Sequence, residues 1–311
     1  MYQTPSDFLH AVQDFLAAQP YPKGESDVTF TQLNLEEFKQ HTSLHKYTPD
    51  EIRGGQLLVD GLLDIIKGGL DEESVGKIES SIAFGKALNG EFNALCVRND
   101  DGQYAVLIYE GLMTLMHKYD KFIVASTSPE SVTFCNRANL QELKGSDYIA
   151  FADELIVNYK LTHSPMGALI KLAPNAAAGA GINTHLKELF VLCHELGHFF
   201  NGDLESTQNF HTLANTQWLV FDDNKSHERE YKADLTGFSI FEKAVSYKYK
   251  DFPKNLLISV LAQVFDLMSM IDSESSDTHP APMNRLKNVV TVNFGAEAAA
   301  ALMAMYTKKE D

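Results

Sequence analysis

Apolar residues recur at helical spacing near both ends of the chain and at strand spacing only toward its middle. In residues 5–18, Phe8, Val12, Phe15 and Leu16 fall near three- and four-residue steps, which predicts an amphipathic helix. Leu57 to Ile66 predicts a second helix. Two β-prone runs follow, Phe92–Val97 and Tyr104–Tyr109, separated by Asn99, Asp100, Asp101 and Gly102. Turn-forming residues between such runs predict a β-hairpin, and a short helix is expected after Gly111. From 118 to 182 the pattern weakens. Phe122–Ala125 and Tyr148–Tyr159 contain β-prone pieces, and APNAAAGAG (173–181) predicts a flexible loop, since its small residues offer little to pack. Beyond residue 182 the pattern is mostly helical, ending in GAEAAAALMAMY, and no internal repeat is present.

From Thr184 to Asn201, Leu186, Leu189, Phe190, Cys193, Gly197 and Phe200 mark one apolar helical face. Asn183 or Thr184 is expected to cap that helix and Gly202 to end it. NLLISVLAQVFDLMSMI, interrupted by Gln263 and Asp266, reads as a buried or half-buried helix rather than a membrane span.

Composition narrows the function classes. The 311 residues are 44% hydrophobic and 22% charged, ordinary for a soluble globular protein. A formal charge of −16 disfavours general binding to nucleic acid or anionic lipid, which needs clustered Lys and Arg. Cys96, Cys135 and Cys193 are too few for a disulfide framework, and the N-terminus lacks the basic-then-apolar layout of a signal peptide. A cytoplasmic protein without a membrane span is expected. No phosphate-binding loop, dinucleotide fingerprint or serine-hydrolase elbow occurs in the sequence.

The candidate chemistry lies in HELGH, residues 194–198. His194 and His198 are four apart, so on a helix both imidazoles project from one side, one turn apart, and can share a metal ion. Glu195 beside them could take a proton from a metal-bound water. The longer form of this motif needs Gly at 201 and His at 204, but this chain has Asn201 and Leu204. A third ligand must come from elsewhere. Glu230 and Asp234, four apart in EYKAD with Gly237, Phe238 and Phe241 continuing the face, offer a ligand and a carboxylate to orient a ligating histidine. His211 and His227 remain alternatives for the third ligand, though both read better as loop or surface residues. Cys193 lies on the apolar stripe and reads as a buried thiol, and Trp218 in WLVF as a core residue.

HELGH followed by EYKAD resembles the gluzincin metallopeptidases, most closely the family of the CAAX prenyl protease and the heat-shock protease HtpX. NALC from Asn93, EGLM around Gly111 and THPAPMNRL, with His279, Pro280 and Arg285, occur in that family's order. The resemblance covers roughly residues 90–115 and 184–290. It implies an α+β, zincin-like metallopeptidase with a small mixed sheet and an H-E-x-x-H active-site helix. Zn²⁺ would be held by His194, His198 and Glu230, with Glu195 as general base and Asp234 orienting His194. His279 would assist catalysis by binding substrate or stabilising the oxyanion, Arg285 would be a structural or substrate contact, and the strand at 104–109 would be the edge that an extended protein or peptide substrate joins.

The chain departs from the family in lacking its long membrane helices and in a long spacing from Gly111 to His194, a layout similar to a soluble phage-exclusion peptidase. The expected organisation is a mainly helical region at 1–89 and a catalytic domain at 90–311, with an insertion at about 118–182 whose Gly/Ala loop could act as a lid. The expected activity is zinc-dependent peptide-bond hydrolysis of narrow specificity. The alternative is a non-enzymatic, zinc-stabilised regulatory or interaction module.

Overall fold

The computed structural model describes residues 2–18, 49–88, 90–135, 143–162, 165–205, 223–275 and 279–307. Its organising element is the run YAVLIY, apolar on both faces, which forms strand β3 (Tyr104–Tyr109) and is buried at every position. A strand that must bury both faces belongs inside a sheet. β1 (Ile82–Ala87) pairs with it in parallel, Ile82 opposite Tyr104, and β2 (Ala94–Arg98) pairs antiparallel, Arg98 opposite Tyr104. The sheet order is β1-β3-β2. The hairpin predicted from the Asn-Asp-Asp-Gly stretch is therefore present, with Gly102 at φ +80 closing its turn. The expectation that 104–109 forms an exposed substrate edge is corrected, because β3 is the central strand and β2 lies at the edge.

Alternation along β3 divides the core. Ala105, Leu107 and Tyr109 face the amphipathic helix α1 (Pro5–Ala18), packing with Phe8, Leu9, Val12 and Leu16. Tyr104, Val106 and Ile108 face the larger helical layer. That layer contains α2 (Pro49–Gly69), α3 (Glu72–Ser81), α4 (Glu110–Thr127), α5 (Gly145–Thr162) and α6 (Pro174–Phe200). It continues through α7 (Asp223–Lys248), α8 (Lys254–Ile271), α9 (Pro282–Phe294) and α10 (Ala296–Thr307). A two-stranded ribbon, β4 (Val132–Phe134) with β5 (Ile170–Leu172), lies beside them. The class is α+β: mostly helix with a small mixed sheet.

Residues on both sides of position 90 share one sheet and one core, since β1 pairs with β3 and Val59, Leu62 and Ile66 of α2 belong to the same apolar cluster as α6 to α9. The segment 118–182 contributes Phe122, Tyr148, Leu155 and Tyr159 to that cluster. Its β-prone pieces are helical. Phe122–Ala125 ends α4, and Tyr148, Ala152, Leu155, Ile156 and Tyr159 form the buried stripe of α5. Three- and four-residue spacing outweighed the strand preference of aromatic and branched residues, because burial on a helical face decides it.

The stretch 173–181 is also corrected. It forms the first turns of α6, with Pro174 at the helix start. Alanine is the strongest helix former and proline suits the first helical position, so this composition extends the helix instead of breaking it. A mobile lid there has no structural basis. Thr184 and Asn183 consequently lie inside the helix and serve a different purpose. Lys187 of α6 forms an ion pair with Asp120 of α4, both fully buried. The Thr184 hydroxyl donates to Asp120 at 2.7 Å, and the Asn183 amide donates to Asp120 at 3.0 Å and to Gln263 of α8 at 2.7 Å. This polar knot ties α6 to two neighbours before the chain reaches HELGH.

By length and composition, α8 is one helix that could cross a membrane; here Leu257, Leu261, Val264 and Phe265 are buried against the rest of the fold. His211 and Trp218 lie outside the described residues.

Candidate metal centre

Helices α6 and α7 cross at two glycines. A Cβ on Gly197 would come within 2.4 Å of the Ala233 carbonyl oxygen, and one on Gly237 within 2.7 Å of the His194 Cα. Side chains there would hold the helices apart. Their close approach brings Glu230, on the first turns of α7, to the histidines of α6.

His194, His198 and Glu230 form a group that could hold a metal ion, with ligand atoms within 4.8 Å of one another. The two Nε2 atoms are 3.2 Å apart, and the Glu230 carboxylate lies 3.5 Å from His194 Nε2 and 3.4 Å from His198 Nε2. Each histidine has a carboxylate behind it. Asp234 Oδ1 is 2.9 Å from His194 Nδ1, and Asp203 Oδ2 is 2.8 Å from His198 Nδ1. A carboxylate accepting from Nδ1–H leaves the Nε2 lone pair as the ligating position. Two such lone pairs facing each other at this distance repel unless a proton or a cation lies between them. Glu230 Oε2 is buried and makes no hydrogen bond of good geometry, although Arg285 Nη1 is 3.1 Å away. The donor set therefore fits a metal ion.

Asp203 had no sequence signal tied to it. It follows the end of α6, where Gly202 at φ +67 reverses the chain and the Asp203 amide bonds back to the His198 carbonyl at 3.1 Å. The only hint is an acid one residue past the glycine expected to end the helix. Asp203→Ala is expected to weaken metal binding by roughly 10–100-fold, as loss of a partner behind a ligating histidine does. Competition titration with a chelating dye measures it, and an unchanged affinity would count against the role.

Arg285 lies behind the two acids of α7. It is 4% exposed, and its guanidinium donates to both oxygens of Asp234, at 2.8 and 2.7 Å, while flanking Glu230. Its Nη2 also lies 3.3 Å from His194 Nε2. Arg285 braces the two acids of α7 from inside the protein. His279 lies at the mouth, 58% exposed, with Nε2 3.7 Å from Glu230 Oε1.

Charge is tightly balanced. Burial pushes the Glu230 and Asp234 carboxyls up, but Arg285 and the histidines outweigh it and hold both below the usual carboxylate range. Burial alone would lower His198, yet Asp203 and Glu230 raise it to about 10. Glu195 behaves in the opposite sense: burial dominates and raises its carboxyl, despite the nearby histidines. It lines a pocket of 220 Å³ together with His194, His198 and His279. Phe190, Val191, Val264, Phe265 and Met268 supply an apolar wall, and Asn93 to Cys96 of the β2 side supply another. Cys193 is fully buried, in keeping with its place on the apolar stripe. His227 begins the described side chains of α7 but is not part of the ligand cluster.

The centre thus combines a three-ligand group, a buried carboxyl beside it and an open pocket edged by a strand. No protein-family model, curated protein or solved structure matches this chain.

Proposed function

We propose that this chain is a zinc-dependent metallopeptidase of the gluzincin type, with a zincin-like core that resembles the CAAX prenyl protease and HtpX family. The observation that carries the reading is the convergence of His194 Nε2, His198 Nε2 and the Glu230 carboxylate beside Glu195, in an open pocket. Two imidazoles and a carboxylate with a solvent-accessible side are the usual set for catalytic zinc.

When bound, zinc supplies a Lewis acid that polarises a peptide carbonyl and makes a neighbouring water easier to deprotonate. The chain's own residues do the rest. Glu195, raised by burial, accepts the proton from the attacking water and returns it to the leaving amine. Asp234 and Asp203 hold the two imidazoles in the tautomer that presents Nε2. Arg285 keeps Asp234 and Glu230 ionised and oriented. In this reading His279, at the mouth, donates toward the carbonyl oxygen. An extended substrate joins the free side of β2, where residues 93–96 border the pocket, by backbone pairing. The apolar wall favours a large apolar side chain next to the cleaved bond.

The test is metal analysis of the gently purified protein combined with a peptide-library cleavage assay. About one zinc per chain is expected, with cleavage lost on chelation and restored by zinc. Absence of stoichiometric zinc would overturn the reading. Zinc without any cleavage would favour a zinc-stabilised interaction module instead.

A further inference from the structure

A second cavity, of 430 Å³, lies among α2, α4, β5 and the N-terminal half of α6. Its volume is nearly twice that of the pocket at the metal centre and falls in the range of small-molecule sites, about 300–1,000 Å³. Five ionisable side chains line it: His117, Lys118, Lys121, His185 and Glu188. Apart from Lys118, none of them makes a hydrogen bond or ion pair with another described residue. Glu188 is only 4% exposed. Buried polar groups are nearly always satisfied within the protein, so the Glu188 carboxyl, buried without a hydrogen-bond partner among the described residues and lining this cavity beside the half-buried Lys121 and His185, marks a place where a ligand supplies the partner.

The chemistry of the lining selects the ligand. Lys118 is anchored by a 2.6 Å hydrogen bond to the Pro165 carbonyl. Burial, followed by repulsion from Lys118, lowers the affinity of Lys121 for its proton, and no carboxylate offsets them. An anion would relieve both. Burial, reinforced by Asp120 and Glu110 and opposed by Lys187, raises the Glu188 carboxyl to about 8. Near neutrality Glu188 is therefore mostly protonated and is a donor rather than a counter-charge. Leu58, Phe122 and Ile170 form an apolar floor suited to a hydrocarbon or aromatic body. A metal ion is the wrong occupant, because among the described residues the only group with metal-ligand spacing is His194, His198 and Glu230.

We propose that this cavity is a second binding site, separate from the metal centre, for a small amphiphilic anion whose carboxylate meets Lys121 and Glu188 and whose apolar body fills the floor. It stands whether or not the metal centre is catalytic.

Calorimetric titration of the full chain with octanoate and, separately, with octylamine tests it. Octanoate is expected to bind saturably and octylamine not to bind. Lys121→Met should weaken octanoate by about tenfold, the value of one charge-assisted hydrogen bond. Lys121→Gln provides a second variant should the first not fold. Glu188→Gln should keep octanoate affinity within a few-fold, since its amide N–H replaces the carboxyl O–H as donor. The proposal is overturned if octylamine is the preferred ligand, if neither ligand binds, or if octanoate affinity is indifferent to both Lys121 substitutions. That last result would place the carboxylate elsewhere, such as on a metal held by the His194 group.

Discussion

Glu195→Gln is expected to lower peptide cleavage by roughly 10²–10⁴-fold while leaving the metal content unchanged. Glu195 is 8% exposed and lines the pocket beside both histidines, but it is not one of the three ligand groups. Glutamine has the same shape and can still hydrogen-bond, yet it cannot accept a proton from water. The change removes the proton transfer and little else. It also removes a carboxyl that burial disfavours in its charged form, so thermal stability should hold or rise slightly. Turnover of a cleaved library peptide and zinc per chain, measured on the same preparation, check both halves. Retained cleavage would exclude Glu195 as the base, and lost zinc would mean that it supports the ligands instead.

Lys187→Met is expected to destabilise the fold by roughly 3–5 kcal/mol, the usual cost of removing one partner of a buried ion pair. Lys187 and Asp120 are both fully buried, and Thr184 and Asn183 also point their donors at Asp120. Without the ammonium, two neutral donors face an ionised carboxylate with no counter-charge. The double variant Lys187→Met with Asp120→Leu should recover much of the loss, because two apolar groups of matching volume avoid the desolvation of either charge. Urea midpoints at constant slope measure the difference. A single variant as stable as the parent would show that the pair contributes nothing net. The position gives the experiment wider meaning: the pair fixes α6 two turns before His194, so the destabilised variant should also bind metal less tightly.

Several of these features could be read along the chain. The hairpin was legible from a turn-rich break between two β-prone runs, and the helix carrying HELGH from its apolar stripe. Others were not. Phe122–Ala125 and Tyr148–Tyr159 carry residues that favour strands, yet their burial repeats with helical period once α4 and α5 pack together. APNAAAGAG lacks an apolar stripe of its own, so it resembles a loop until it is seen as the start of a 27-residue helix. The choice of β2 over β3 as the free edge depended on β1, a short strand that had left no clear signal.

By itself the sequence determined what local geometry controls. Four-residue spacing on a helix places His194 with His198 and Glu230 with Asp234, since 3.6 residues per turn leaves no other face for them. Only the tertiary structure decided what depends on elements meeting. The glycine crossing of α6 and α7 joins those two pairs into one centre, the turn at Gly202 brings Asp203 behind His198, and the packing of α9 draws Arg285 inward to the acids. The second cavity has the same origin. Its lysines and histidines lie on α4 and α6, its apolar floor spans α2, α4 and β5, and no window along the chain holds enough of them to reveal a site.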